Sequence, residues 1–196
     1  AEDAGTYVMV HVYVPEAIRR AIRAGVKSIE HGQLIDEPTM KLIAEKGVWL
    51  SMQPFIGEGN NHYTNPVQQA KHELVVQGTD RAYQLAKKYG VKLAWGTDLL
   101  FSPANARNQN LNIEKMTRWF SNFEILKMIT HDNDELLALS GRRNPYPGKL
   151  GVIEEGALAD LIVVDGNALE DIKVLTDPGK NMLLIMKYGK IYKNDL

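Results

Sequence analysis

"VHVYVPEAIRRAIRAGVKSIEHG", residues 10–32, decides the fold class. Its first five residues alternate valine with His11 and Tyr13, a strand-forming pattern. Pro15 then opens a segment whose apolar positions, Ala17, Ile18, Ala21 and Ile22, have helical spacing, and Gly25 closes it. "VKSIEH" (26–31) reads as a second strand. Two strands joined by a crossover helix must run parallel, so this stretch is a βα unit of an α/β protein.

The unit recurs downstream. "DEPTMKLIAEKG" (36–47) is acidic at its start and basic before its final glycine, as a helix dipole favours. "VWLSMQPF" (48–55) is a third strand, and a helix over about 67–89 ends at Gly90. "VKLAWGTD" (91–98) is a fourth strand, followed by a helix over about 113–129. Before them, "TYVMVHVYV" places the first strand at 7–14, after a lead, "AEDAG", that reads as the end of a helix with a glycine stop. Two loops, "IGEGNNHYTNP" (56–66) and "LLFSPANARNQN" (99–110), are long enough to shape a pocket. From residue 141 the texture changes: "GRRNPYPGKLG" is linker-like, and short strands follow in "ADLIVVDG", "NMLLIMKYG" and "KIYK". The expected domains are residues 1–140, four βα units, and 141–196, a small β region. An open doubly wound sheet and a (β/α)₈ barrel both fit, and no glycine-rich phosphate loop favours a nucleotide site.

Composition narrows the function. With a net charge of −1 and 44% hydrophobic residues, nothing suggests nucleic acid or an anionic membrane as a partner. No apolar run approaches the ~18 residues that a membrane span requires. The absence of cysteine excludes disulfides and thiolate metal sites, and leaves five histidines and the carboxylates as metal ligands. The compartment stays open between cytoplasm and periplasm.

Active sites of parallel sheets lie at the carboxyl ends of the strands. Strand one carries His11 and Tyr13 there, strand two ends in His31, strand three in Gln53 and strand four in Asp98. Two imidazoles and a carboxylate suffice to bind a catalytic divalent metal. Such an ion activates water, and an aspartate beside it can pass the proton on. Tyr13 and Gln53 are expected to touch substrate. Alternation along the strand turns Glu30 away from His31, either towards the helices or into a supporting place behind the ligands. His62 and His72 are expected in solvent, and His131 at a helix junction.

Together "VHVYVPEAIRRAIRAGVKSIEHG", "LAWGTD" and "GKLGVIEEGALADLIVVDGNALEDI" resemble the amidohydrolase superfamily, in its imidazolonepropionase-like and Xaa-Pro dipeptidase-like branch. The resemblance implies the C-terminal half, strands five to eight, of a TIM (β/α)₈ barrel, followed by the C-terminal part of a small β-sandwich. It implies that His11, His31 and Asp98 are ligands of a divalent metal, zinc first, with Asp98 the proton-transferring catalytic base. The reaction implied is hydrolysis of a C–N bond in a small amide, cyclic amide or dipeptide. The family's His-x-His pair and its bridging lysine or glutamate are absent, so the chain is expected to be a fragment, weak in metal binding and activity. A half barrel exposes two edges, and Val10, Tyr13, Leu50, Met52, Leu93 and Trp95 are expected to lack their opposing layer. A homo-oligomer, or association with a missing N-terminal half, follows. The alternative is a non-catalytic α/β assembly module in which the three residues are structural.

Overall fold

The structure, a computed structural model, describes residues 1–57, 63–99 and 103–196, with 104 and 105 described by backbone alone. The chain is mixed α/β and gathers into two compact units, Ala1–Gly96 and Thr97–Leu196.

In the first unit, β1 (Met9–Val12), β2 (Ser28–His31), β3 (Trp49–Met52) and β4 (Leu93–Trp95) form a parallel sheet in sequential order. The strands alternate with α1 (Pro15–Arg23), α2 (Glu37–Lys46) and α3 (Pro66–Tyr89). The strands are shorter than their apolar runs, and the helices between them are capped. Val14 is already the N-cap of α1. Asp36 caps α2 by accepting from Thr39 N at 3.0 Å, and Asn65 caps α3 by accepting from Val67 N at 2.9 Å. The lead "AEDAG" is one 3-10 turn, Glu2–Ala4, closed by Gly5.

Sequential strand order with right-handed crossovers puts all three helices on one face of the sheet. Val10, Ile29, Leu50 and Leu93 pair laterally into one row. Ile18 of α1, Ile29 and Leu50 converge around Gly32. Met40 and Ile43 of α2, and Ala82 and Ala86 of α3, are fully buried. The Tyr83 hydroxyl donates to Met52 O at 3.2 Å, and burial pushes its phenol pKa up. Each such large side chain contributes about 1.5–3 kcal/mol relative to exposure, so this layer dominates the unit's stability. Leu50, Met52 and Leu93 therefore do not lack a covering layer as expected. Tyr13 lies on the opposite face, with His11, because the two share strand parity. Among the exposed apolar side chains of this unit, Val8, Met9 and Val14 lie in or beside β1 at the sheet's margin.

The second unit holds α4 (Pro103–Ala106), α5 (Leu111–Lys115), α6 (Asn122–Lys127) and α7 (Asn133–Ala138). The single helix expected over 113–129 is broken into these pieces. Ser121 and Glu124 form a capping box that starts α6 afresh, and a π turn over Met128–Asp132 leads into α7. Further on, β5 (Leu161–Val164), α8 (Pro178–Asn181), β6 (Met182–Lys187) and β7 (Lys190–Asn194) complete the unit. The three strands form an antiparallel sheet in the order β5-β6-β7. Tyr188 and Gly189, both left-handed, make the two-residue turn between β6 and β7. The change of texture after residue 141 falls within this unit. Among the described residues no helix is long and apolar enough to cross a membrane.

Candidate active site

At the carboxyl ends of β1, β2 and β3, four side chains meet. The His11 and His31 rings lie 4.3 Å apart, edge to face at 77°. Tyr13 stacks on His31 at 4.7 Å and 16°, and meets His11 edge-on at 5.2 Å. Gln53 Oε1 lies 2.7 Å from His31 Nδ1. His31 and Gln53 are buried, Tyr13 is half-buried and His11 is exposed. The cluster thus has one open side, at His11.

Strand alternation alone does not produce this meeting. His11 pairs laterally with Glu30, and His31 with Val12. Val12 faces the helix side, so an ordinary strand would send the His31 imidazole there too. The φ of His31 is 81°, in the left-handed region, which breaks the alternation. Such a conformation costs a non-glycine residue about 1–3 kcal/mol, and it collects at functional positions. Gly32 follows at φ 76°, where a Cβ would lie 2.9 Å from Leu50 Cδ1. The turn therefore needs glycine both for its backbone and for its space.

Of the two places open to Glu30, the helix side is the one the structure rules out. Glu30 shares the face of His11 rather than the helix side, because the alternation fails at His31 and not at Glu30. It accepts from the Ser28 hydroxyl at 2.6 Å. The Tyr7 phenol is pushed up by burial first and by the Glu30 charge second.

Gln53, read from the sequence as a substrate contact, is engaged with His31. Behind it, Gln33 Nε2 donates to Gln53 O at 3.4 Å. Gln33 is fully buried, and its Oε1 has no hydrogen-bond partner. Asp98 belongs to the second unit, three residues past β4; it is exposed, with φ 52°. Among the described non-glycine residues, only His31, Asp98 and Tyr188 have positive φ, so two of three are candidate ligands.

His72 is half-buried on α3, its ring 5.4 Å from Tyr63, and His62 lies outside the described residues. Parts of both long loops, 58–62 and 100–102, lie outside them as well. His131 sits in the π turn between α6 and α7, the junction expected for it. There it joins Asp132 and Glu135 in a group whose ligand-type atoms lie within 4.8 Å of one another. The i, i+1, i+4 spacing in "HDNDE" is the signal for this group in the sequence. Asp132 is already paired with Lys127, and its carboxylate meets His131 Nδ1 at 3.0 Å.

The ring cluster is chemically suited to a metal. His31 and His11 supply two imidazoles whose rings lie close together at adjacent strand ends.

The amidohydrolase family model matches residues 1–192. Ochratoxinase of Aspergillus niger is 33% identical over 190 residues, which cover 95% of this chain and 38% of the enzyme. A prolidase crystallised with N-methylphosphonate-L-proline superposes with a TM-score of 0.86 at 35% identity, over 99% of this chain and 47% of that one. A Xaa-Pro dipeptidase with methionine in its active site gives 0.81 at 31% identity, over 99% and 46%. The chain spans less than half the length of each of these relatives. It belongs to the amidohydrolase family, and its likenesses include the Xaa-Pro dipeptidase-like members.

Proposed function

We propose that the chain carries one side of the active site of a metal-dependent hydrolase that cleaves C–N bonds in small amides or dipeptides. The observation that carries this reading is the convergence of His11 and His31 at adjacent strand ends, with a strained backbone at His31 to achieve it. His11 and His31 would hold a divalent ion, zinc by their donor chemistry, together with Asp98. When bound, the ion would supply a nucleophilic water near neutral pH and polarise the scissile carbonyl.

The chain's own residues divide the remaining work. Asp98 carries the carboxylate that takes a proton from the attacking water and returns it to the leaving amine. Tyr13, stacked on His31, covers one face of that ring and leaves the open side at His11 for substrate. Gln53, against His31, stands with Tyr13 as a candidate substrate contact. The prolidase and dipeptidase likenesses favour an acyl-amino acid or Xaa-Pro dipeptide as substrate.

In this reading β1–β4 are the last four strands of a (β/α)₈ barrel, and β5–β7 part of a β-sandwich. Two observations support it: the sequential parallel order, and helices packed α1 on α2 and α2 on α3. No His-x-His occurs in the sequence, so the remaining ligands must come from elsewhere and the chain alone has little activity. The partner is a missing N-terminal half or a second copy, joined at the open strand margins.

The test assays zinc content and amino-acid release from N-acyl amino acids and Xaa-Pro dipeptides. It compares the chain alone with the chain mixed with the N-terminal half of an amidohydrolase relative. The expected result is zinc and hydrolysis in the mixture, only traces for the chain alone, and loss of both with His31→Ala. A mixture with neither zinc nor hydrolysis would refute the enzyme and leave the non-catalytic assembly module.

A further inference from the structure

We infer that Gln33 is a positioning residue of the histidine site: its buried amide holds the end of β3 in place, and with it the Gln53 side chain that meets His31. The inference deepens the proposed hydrolase and rests on it only for the use to which the placed residues are put.

The fold fixes where Gln33 sits. The left-handed backbone at His31 and Gly32 turns the chain off β2, and Ile35 N closes a tight turn by donating to Gly32 O at 3.1 Å. Arg81 Nη2 donates to Ile35 O at 2.7 Å, and α3 comes so close that a Cβ on Gly78 would lie 2.2 Å from Gln33 O. The backbone at residue 33 is therefore held from the α3 side, and its side chain is fully buried. Burial does not call for an amide. Methionine has nearly the same length and volume, with no polar atom that needs a partner. Glutamine brings one long hydrogen bond, Nε2 to Gln53 O at 3.4 Å, and an Oε1 with no hydrogen-bond partner among the described residues. A buried acceptor left unbonded costs more than one such bond returns. The amide thus lowers the stability of the first unit, and its use lies in what Nε2 holds.

What Nε2 holds is the residue against His31. β3 ends at Met52, and two consecutive carbonyls there are each met by a buried side chain. The Tyr83 hydroxyl donates to Met52 O at 3.2 Å. Gln33 Nε2 joins Phe55 N, which donates from 2.9 Å, at Gln53 O. These carbonyls belong to the two peptide groups that flank the Gln53 Cα, so the direction of its side chain is set from both sides. Gln53 Oε1 then comes 2.7 Å from His31 Nδ1, on a ring that Tyr13 also stacks against. Gln33 lies two residues beyond His31, so its amide ties the histidine's own turn to the residue that the histidine bonds. The ends of β2 and β3 are thereby locked at the separation this contact needs. Because Phe55 N already serves Gln53 O, loss of the Gln33 bond leaves no new orphan and acts on placement alone. All of these residues lie within the first unit.

The experiment replaces Gln33 in the ¹⁵N-labelled, metal-free chain and reads two quantities, the melting temperature and the ring ¹H–¹⁵N signals of the histidines. Gln33→Met should melt higher, by roughly 2–4 °C, because it removes the unbonded oxygen and leaves Gln53 O its bond from Phe55 N. In the same variant the His31 ring signals should shift or broaden, while those of His72 and His131 stay in place. Gln33→Leu, a second apolar replacement of different shape, should move the His31 signals in the same way. A residue that only supports the fold would behave otherwise, so a lower melting temperature in both variants overturns the inference. So does a stabilised Gln33→Met chain whose His31 signals have not moved. Neither reading needs a metal. A chain that answers as expected, yet gains no zinc and no hydrolysis on mixing with the N-terminal half of a relative, would uphold the positioning role and refute the hydrolase instead.

Discussion

Gly78 sits in the middle of α3, where alanine is the better helix former by about 1 kcal/mol. Propensity alone therefore predicts that Gly78→Ala stabilises the chain. The structure predicts the opposite. An alanine Cβ there would lie 2.2 Å from Gln33 O, 3.0 Å from Gln33 C and 3.2 Å from Leu34 Cδ2. The nearest atom belongs to backbone and cannot rotate away. Either α3 or the Gln33 segment must retreat by about 1 Å to restore an ordinary contact. A clash this close against backbone takes the upper part of the usual range for overpacking, about 2–3 kcal/mol, and the helix gain offsets about 1 of that. The expected net loss is about 1–2 kcal/mol. At roughly 2–4 °C per kcal/mol for a chain of this size, the melting temperature should fall by about 2–8 °C. Urea unfolding followed through tryptophan fluorescence would show a lower midpoint at unchanged slope, with Trp49 reporting from the first unit. Because Gln33 bonds Gln53, the same variant should disturb the His31 ring signals. A stabilised Gly78→Ala protein with unmoved His31 signals would refute the packing argument.

Other expectations are more local. Gly32→Ala should cost at least about 1–2 kcal/mol, since φ 76° disfavours any Cβ and Leu50 occupies the space it would need; denaturant melts give the value. Asp36→Ala should cost about 1 kcal/mol through loss of the α2 N-cap, while Asp36→Asn, which can still accept from Thr39 N, should recover most of it. Glu37 is held down from the ordinary 4.5 to about 2, chiefly by its hydrogen bond from Lys88 and then by that from Tyr89. Between those pH values the unfolded chain binds a proton that the folded chain refuses, so the stability from this contact is full above about pH 4.5 and lost as pH falls towards 2. Acid melts of Glu37→Gln should lack that part of the decline.

Much of the first unit was legible because its signals are local. Pro15, Asp36 and Asn65 open helices, Gly47 and Gly90 close them, and apolar runs between them can only be strands. The candidate ligands were legible for the same reason, as histidines at strand ends. Their meeting was not. Alternation puts His31 on the wrong face, and the left-handed backbone that turns it over appears in sequence only as the following Gly32. The partnership of His31 with Gln53 was hidden because it joins residues 22 positions apart on neighbouring strands. The faces of the sheet were misread because a continuous apolar strand such as "VWLSM" carries no alternation to choose between them. In the second unit, helical periodicity runs through Ser121 without pause, although Ser-x-x-Glu is itself a start signal.

The central claim is that His11 and His31 form one metal site. Titrating the ¹⁵N-labelled chain with Co²⁺, a paramagnetic stand-in for zinc, tests it most directly. The account predicts that the ring signals of His11 and His31 broaden together, ahead of those of the other three histidines, and that His11→Ala or His31→Ala abolishes the effect at the remaining partner. Broadening that begins at His131, or that reaches His11 and His31 independently, would contradict it.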